Sequence, residues 1–197
     1  MLRRSLVVVA VLAAALAVAP FAAAAVVHIR IEGKTVTLFG PTEPRVFAAT
    51  PLEALQAASR AAELYVHVTS SSFGNYVDQV GLYGGSGSAG WVFKVNGASP
   101  PVGADQVQLK DGDVVEWYYA TFGPTGGPPT LVLKPTAKGC YAATGADDQG
   151  AQKVPSGLAF HVDGRTLPAA AGHICFTKPH GLIWATAPGT VRSNRLP

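Results

Sequence analysis

Apolar and polar residues alternate with a period of two early in this chain and again on a later aromatic pair of segments, and helical spacing appears in one place between them. Residues 26–32 (VVHIRIE) alternate, Gly33-Lys34 makes a turn, and residues 35–39 resume, which predicts two strands joined tightly. Thr50-Pro51-Leu52-Glu53 then opens a helix. Thr50 suits the N-cap, Pro51 the first helical position, and Glu53 completes a capping box. Leu52, Leu55, Ala58, Ser59 and Ala62 fall on one face, and its small side chains allow close approach to a sheet. Residues 65–69 and 76–80 read as short strands. Residues 91–95 and 114–120 form an aromatic closing pair. Asn96-Gly97 and Asp111-Gly112 suit turns that need positive φ. Between residues 82 and 90, Gly84-Gly85-Ser86-Gly87-Ser88 predicts a flexible tip carrying Tyr83.

After Gly123-Pro-Thr-Gly-Gly-Pro-Pro, the pattern changes to short strands alone: 130–133, 140–144, 158–162, 173–177 and 182–186. Asp147-Asp148-Gln149-Gly150, Asp163-Gly164 and Pro188-Gly189 punctuate them. Regular short strands with turn signals predict a small sandwich. The expected organisation is therefore an α+β β-grasp-like domain over 26–122, a Pro/Gly linker at 123–129, and a small all-β sandwich over 130–197.

Residues 1–25 read as a secretory signal. Arg3 and Arg4 precede an apolar run over 6–18, and Ala23-Ala24-Ala25 gives a small-residue cleavage site. No later run is long enough to span a bilayer, so a secreted, extracellular protein is expected. The formal net charge of +3 includes those two arginines. Residues 26–124 hold 6 Lys and Arg against 9 Asp and Glu, and residues 125–197 hold 7 against 3, so the mature sum is +1. With neither a basic run nor interleaved arginines and aromatics, the charge pattern speaks against nucleic-acid binding. In an exported chain the two cysteines, Cys140 and Cys175, read as one disulfide, which would staple a modest core. A Cys–His metal site with His173 or His180 is the competing reading, and it lacks a paired-cysteine motif.

Catalytic patterns do not emerge. Ser70-Ser71-Ser72 is not a nucleophile elbow, and His67 lies too near it in sequence to imply a triad. Asp111 and Asp113 sit on a hairpin turn, and His161, His173 and His180 are scattered. Asp147-Asp148-Gln149-Gly150 reads as a turn rather than a calcium loop. Trp91, Phe93, Trp117 and Tyr119 alternate on the closing strands, where packing competes with a role as an apolar platform. Tyr83, Trp91 and Phe122 are the candidate ligand-binding residues, because Tyr83 and Phe122 lie beside Gly-rich loops. The expectation is a non-catalytic binding protein with no required cofactor or metal.

Gly90-Trp91, Val95-Asn96-Gly97, Gly103-Ala104-Asp105 and Leu109-Lys110-Asp111-Gly112-Asp113, with the helix opener TPLEALQAA and the segment GNYVDQVGLYGG, resemble the transcobalamin C-terminal-like family of secreted domains. The resemblance covers residues 26–122. It implies a β-grasp-like, ligand-binding domain, and makes a flat or apolar small molecule such as cobalamin or another corrinoid the candidate ligand. In the vitamin carriers a large helical domain covers the other face of cobalamin, and the present sequence has no counterpart to it. The tail, with DDQG, FHVDGR and APGTVRSN, resembles small immunoglobulin-like or carboxypeptidase-regulatory-like sandwich domains, which implies a structural module. The alternative function is a cell-surface protein- or glycan-interaction module without a small ligand.

Overall fold

A computed structural model describes residues 23–71, 74–124, 126–169 and 171–197. The expected signal falls outside the described residues up to position 22. In chain order the first part holds β1 (Ala25–Glu32), β2 (Thr37–Phe39), β3 (Arg45–Ala48), α1 (Pro51–Ala62), β4 (Val66–Ser71), β5 (Gly74–Val80), β6 (Tyr83–Gly84), β7 (Ala89–Val95) and β8 (Val114–Thr121). The second holds β9 (Thr130–Ala137), β10 (Cys140–Ala146), β11 (Gln152–Lys153), β12 (Ala159–Val162), β13 (Arg165–Pro168), β14 (His173–Cys175) and β15 (Trp184–Thr186).

The expected α+β β-grasp class is corrected. Among the described residues strands make up 48% and helix 7%, with a single helix, and several small sheets fit an all-β sandwich instead. The predicted helix is present, but segments without a clear alternating pattern, such as 45–48 and 165–168, add strands around it. No helix among the described residues is long and apolar enough to cross a membrane.

The largest sheet runs β2-β1-β8-β7, with β3 also paired to β1. β1 and β8 are parallel, and the other pairs are antiparallel. Helix α1 starts as its sequence dictates. Thr50 Oγ1 accepts from Glu53 N at 3.2 Å, and Glu53 Oε2 accepts from Ala49 N at 2.7 Å. The Gly103-Ala104-Asp105 step serves the same helix end, since the Ala104 carbonyl accepts from Leu52 N at 3.0 Å. Such bonds satisfy donors that a helix N-terminus otherwise leaves unpaired. The helix buries Leu52, Ala54, Leu55 and Ala58 against Val27, Ile29, Ile31, Val115 and Trp117. Trp117 Nε1 donates to the Pro51 carbonyl at 3.0 Å. Asn96 and Gly97 take the predicted positive φ, 52° and 86°. The tip at 84–88 is a closed turn rather than a loose one, because Ser86 and Ala89 exchange backbone bonds at 2.9 and 3.0 Å.

The second part matches the expected sandwich. One sheet orders β11-β10-β14 with β9 on β10, and the other orders β13-β12-β15. Leu131, Leu133, Tyr141, Phe160 and Ile183 fill the space between them. Cys140 and Cys175 sit opposite one another on β10 and β14 and form the expected disulfide.

Period-two alternation gives β1, β8 and β7 a second face, and that face carries charge: Arg30 and Glu32 on β1, Glu116 on β8, Lys94 on β7. All four are buried, because the second part packs over them. Arg30 Nη2 lies 2.8 Å from Glu116, its Nε 3.4 Å from Glu43, and its Nη1 3.6 Å from Glu32. Arg30 also donates to the carbonyls of Arg192 and Leu131. Arg192 returns the contact by donating to Glu32 Oε2 at 2.6 and 3.0 Å. A small apolar cluster of Tyr118, Ala120 and Val191, with Val92 against it, closes the junction.

Burial pushes the Glu116 carboxyl up to about 7, aided by Glu32 and Glu43 and opposed by Arg30 and Lys94. The folded protein therefore binds this proton more tightly than the unfolded chain. Its stabilising effect is full below about pH 4.5 and is lost as pH rises through about 7. The span corresponds to about 3 kcal/mol. Urea denaturation from pH 4.5 to 8 should show this decline in the wild type and a flatter profile in Glu116→Gln; parallel profiles would count against it.

Candidate functional site

β7 is the last strand of its sheet, and an open cavity of about 310 Å³ runs beside it. Trp91 and Phe93 on β7, Trp117 and Tyr118 on β8, and Phe122 just beyond supply an aromatic wall. Tyr76 and Val77 of β5 face them, and Leu52 and Ala104 line the cavity at the helix start. The rings are locked in place. Phe93 and Trp117 lie 5.2 Å apart between centroids, and Trp91 meets Tyr119 edge-on at 5.7 Å. The polar rim is equally fixed. Asn75 Nδ2 donates to Asp105 Oδ2 at 2.8 Å, and Asn75 Oδ1 accepts from Ser70 Oγ at 2.6 Å.

Of the three residues expected to bind ligand, the fold brings Trp91 and Phe122 to this cavity and leaves Tyr83 outside it. Trp91 is largely buried, with Nε1 donating to the Tyr83 carbonyl at 2.7 Å. Phe122 is 41% exposed. Tyr83 instead packs against Gly33 and stands 6.0 Å from Tyr119, half-buried against the main core. A side chain at Gly33 would collide with its ring, so the glycine makes room for Tyr83.

Sequence reasoning missed Asp148. It belongs to the second part, yet it lines this cavity and is the one charged residue among the described residues that do so. Its neighbour Asp147 explains the turn, accepting from the backbone N–H groups of Gln149 and Ala151 at 3.0 and 2.8 Å. Asp148 is not needed for that turn, and this surplus in an adjacent acidic pair was the available signal. Asp148 Oδ1 accepts from Ser99 Oγ at 3.3 Å, and Oδ2 accepts from Gly127 N at 3.3 Å. Behind it Lys94 is fully buried, with Nζ donating to the Ala146 carbonyl at 2.8 Å and lying 3.8 Å from Asp148. Burial holds the Lys94 ammonium below its ordinary range, against the pull of Glu116 and Asp148.

The other polar residues weighed from sequence have local structural partners. Asp111 Oδ1 accepts from Val26 N, and Asp113 Oδ2 from Lys110 N, both at 2.8 Å. His67 pairs with Asp78 at 2.7 Å. His161 stacks on Trp184 and bonds Thr186 and Thr166. His180 packs against Phe176 and Tyr141. Among the described residues, no group of three or more His, Cys, Asp and Glu is placed to hold a metal ion.

These features define a mostly β protein with an aromatic pocket at a sheet edge. Residues 48–121, from the end of β3 to the end of β8, match the family described as a domain of unknown function (DUF4430). That segment contributes most of the pocket wall and stops one residue short of Phe122. No curated protein matches the chain. A solved structure from Ruminococcus gnavus, of a protein provisionally described as metal binding, aligns with 50% of this chain and 99% of its own at 16% identity and a TM-score of 0.38. At that similarity it bears on neither fold nor ligand.

Proposed function

We propose that this chain is a secreted, non-catalytic binding protein whose site is the cavity beside β7. The observation that carries the reading is the aromatic lining itself: five aromatic residues border one preformed space with few polar groups, the usual character of a small-molecule site. Rings held rigidly give contact area at low entropic cost. The lining supplies one carboxylate and no histidine, cysteine, lysine or arginine among the described residues, which favours binding over chemistry. A space of about 310 Å³ suits one flat apolar group. The resemblance to transcobalamin C-terminal-like domains supports the same direction, and a corrinoid, being larger than the cavity, would cover its mouth.

Trp91 and Trp117 line the cavity, so their fluorescence reports on it. Titration with 2-phenylethanol should change the emission saturably. Phe122→Ala, at a partly exposed position, should weaken binding about tenfold, or about 1.4 kcal/mol. A flat trace for both 2-phenylethanol and cobalamin, beyond the inner-filter effect, would exclude the reading. A second reading, surface contact with a glycan or protein, is favoured by Tyr65 and Leu82, which are exposed beside the small β4-β5-β6 sheet and lie outside the cavity. Pull-down with cell-wall glycans in a protein lacking those side chains distinguishes the two.

A further inference from the structure

Resting on the pocket reading above, we infer that the cavity selects a small organic cation, an amine or quaternary ammonium attached to a flat apolar body, with Asp148 receiving the charge. Two independent features converge. The first is the wall: Trp91, Phe93, Trp117 and Phe122 line one space, and aromatic rings attract cations through their negative quadrupole, while the Tyr118 ring on the same lining already has the buried Lys94 ammonium 5.7 Å from its centre. The second is Asp148, the single charged group on that lining, whose side chain remains 30% exposed.

Asp148 has capacity to spare. A carboxylate offers about four acceptor positions. The protein uses two of them for hydrogen bonds, both long at 3.3 Å, from Ser99 Oγ and Gly127 N. The remaining charged neighbour, Lys94, is placed behind it. Its Nζ lies 3.8 Å away, is fully buried, and donates at 2.8 Å to the Ala146 carbonyl. Lys94 also faces Glu116 directly across the β7–β8 pair, so its charge is shared with a carboxylate on the far side. Lys94 therefore holds Asp148 in position without lining the cavity. A ligand ammonium entering between the rings would meet acceptors and ring faces and no cationic side chain among the described residues of the lining. An anionic ligand would meet Asp148 head-on.

The test compares two probes of the same size, 2-phenylethylamine, charged at pH 7, and 2-phenylethanol, neutral, by isothermal titration calorimetry on the intact mature protein. The amine should bind about tenfold more tightly, the advantage should shrink at high salt, and Asp148→Asn should reduce it to less than about threefold. If both probes bind equally to the wild type, the cation inference fails and the pocket reading stands. If neither binds, both fail. The wild-type comparison decides the matter even if Asp148→Asn does not fold.

Discussion

Replacing Arg30 with alanine should destabilise this protein by about 3–5 kcal/mol, the cost of breaking a buried ion pair from one side. Arg30 is 1% exposed and stands among Glu32, Glu43 and Glu116. Burial alone would weaken its charge, but the three carboxylates outweigh that and raise its pKa. Remove the guanidinium and three acids share a dry junction, with Arg192 left to answer Glu32 and Lys94 left to answer Glu116. The carbonyls of Arg192 and Leu131 also lose their donor. Urea denaturation at pH 7.5 measures the loss, and a change below about 1 kcal/mol would show that water reaches the junction. Two further results identify the cause. The deficit should shrink near pH 5 as the acids take up protons, and Arg30→Met combined with Glu116→Leu should recover part of it, because apolar replacement of a whole buried pair is often tolerated.

Removing the disulfide through Cys140→Ala with Cys175→Ala should cost about 4 kcal/mol by the loop-closure estimate for a separation of 35 residues. For a chain of this size that corresponds to a fall of about 10 °C in the thermal midpoint. The bond joins β10 to β14, a short strand with only three residues in its ladder. Two flanking backbone bonds, Ala143 N to Gly172 O and Phe176 N to Gly139 O, extend that ladder only slightly, so the detachment of β14 should come first. Calorimetry with and without reductant reads the effect; a shift under about 2 °C would mean that the sandwich core suffices alone.

Much of the backbone plan was legible, because local chemistry dictated it. Thr50 and Pro51 open the helix as their sequence order predicts, with Glu53 reaching the Ala49 N–H instead of that of Thr50, Asn96-Gly97 takes positive φ, and the two cysteines pair. The fold class was misread because one well-marked helix was given the weight of a layer, whereas short strands with little pattern of their own, such as Arg45–Ala48 and Arg165–Pro168, shifted the balance. The burial of the charged face was not legible for a different reason. In the run HIRIE and in the Lys94 and Glu116 positions, alternating charge has the appearance of a solvent face. Only the tail, with Arg192 and the Leu131 carbonyl, shows that the face is covered. The site was half legible. Trp91 and Phe122 reach the cavity, but Tyr83 beside its glycines turned inward, where Gly33 makes space for it. Asp148 comes from the other side of the Pro/Gly segment, and no local pattern linked it to rings 26 to 57 residues earlier.

Asp148 also makes the cavity a shared property of both parts of the chain: the rings come from one part and the carboxylate from the other. A molecule held between them would act as a rivet. By mass action, a ligand at a hundred times its dissociation constant adds about 2.7 kcal/mol to whatever already fastens the tail to the sheet. The tail would then be a latch whose grip depends on occupancy, tightening when the cavity is filled and easing when it empties.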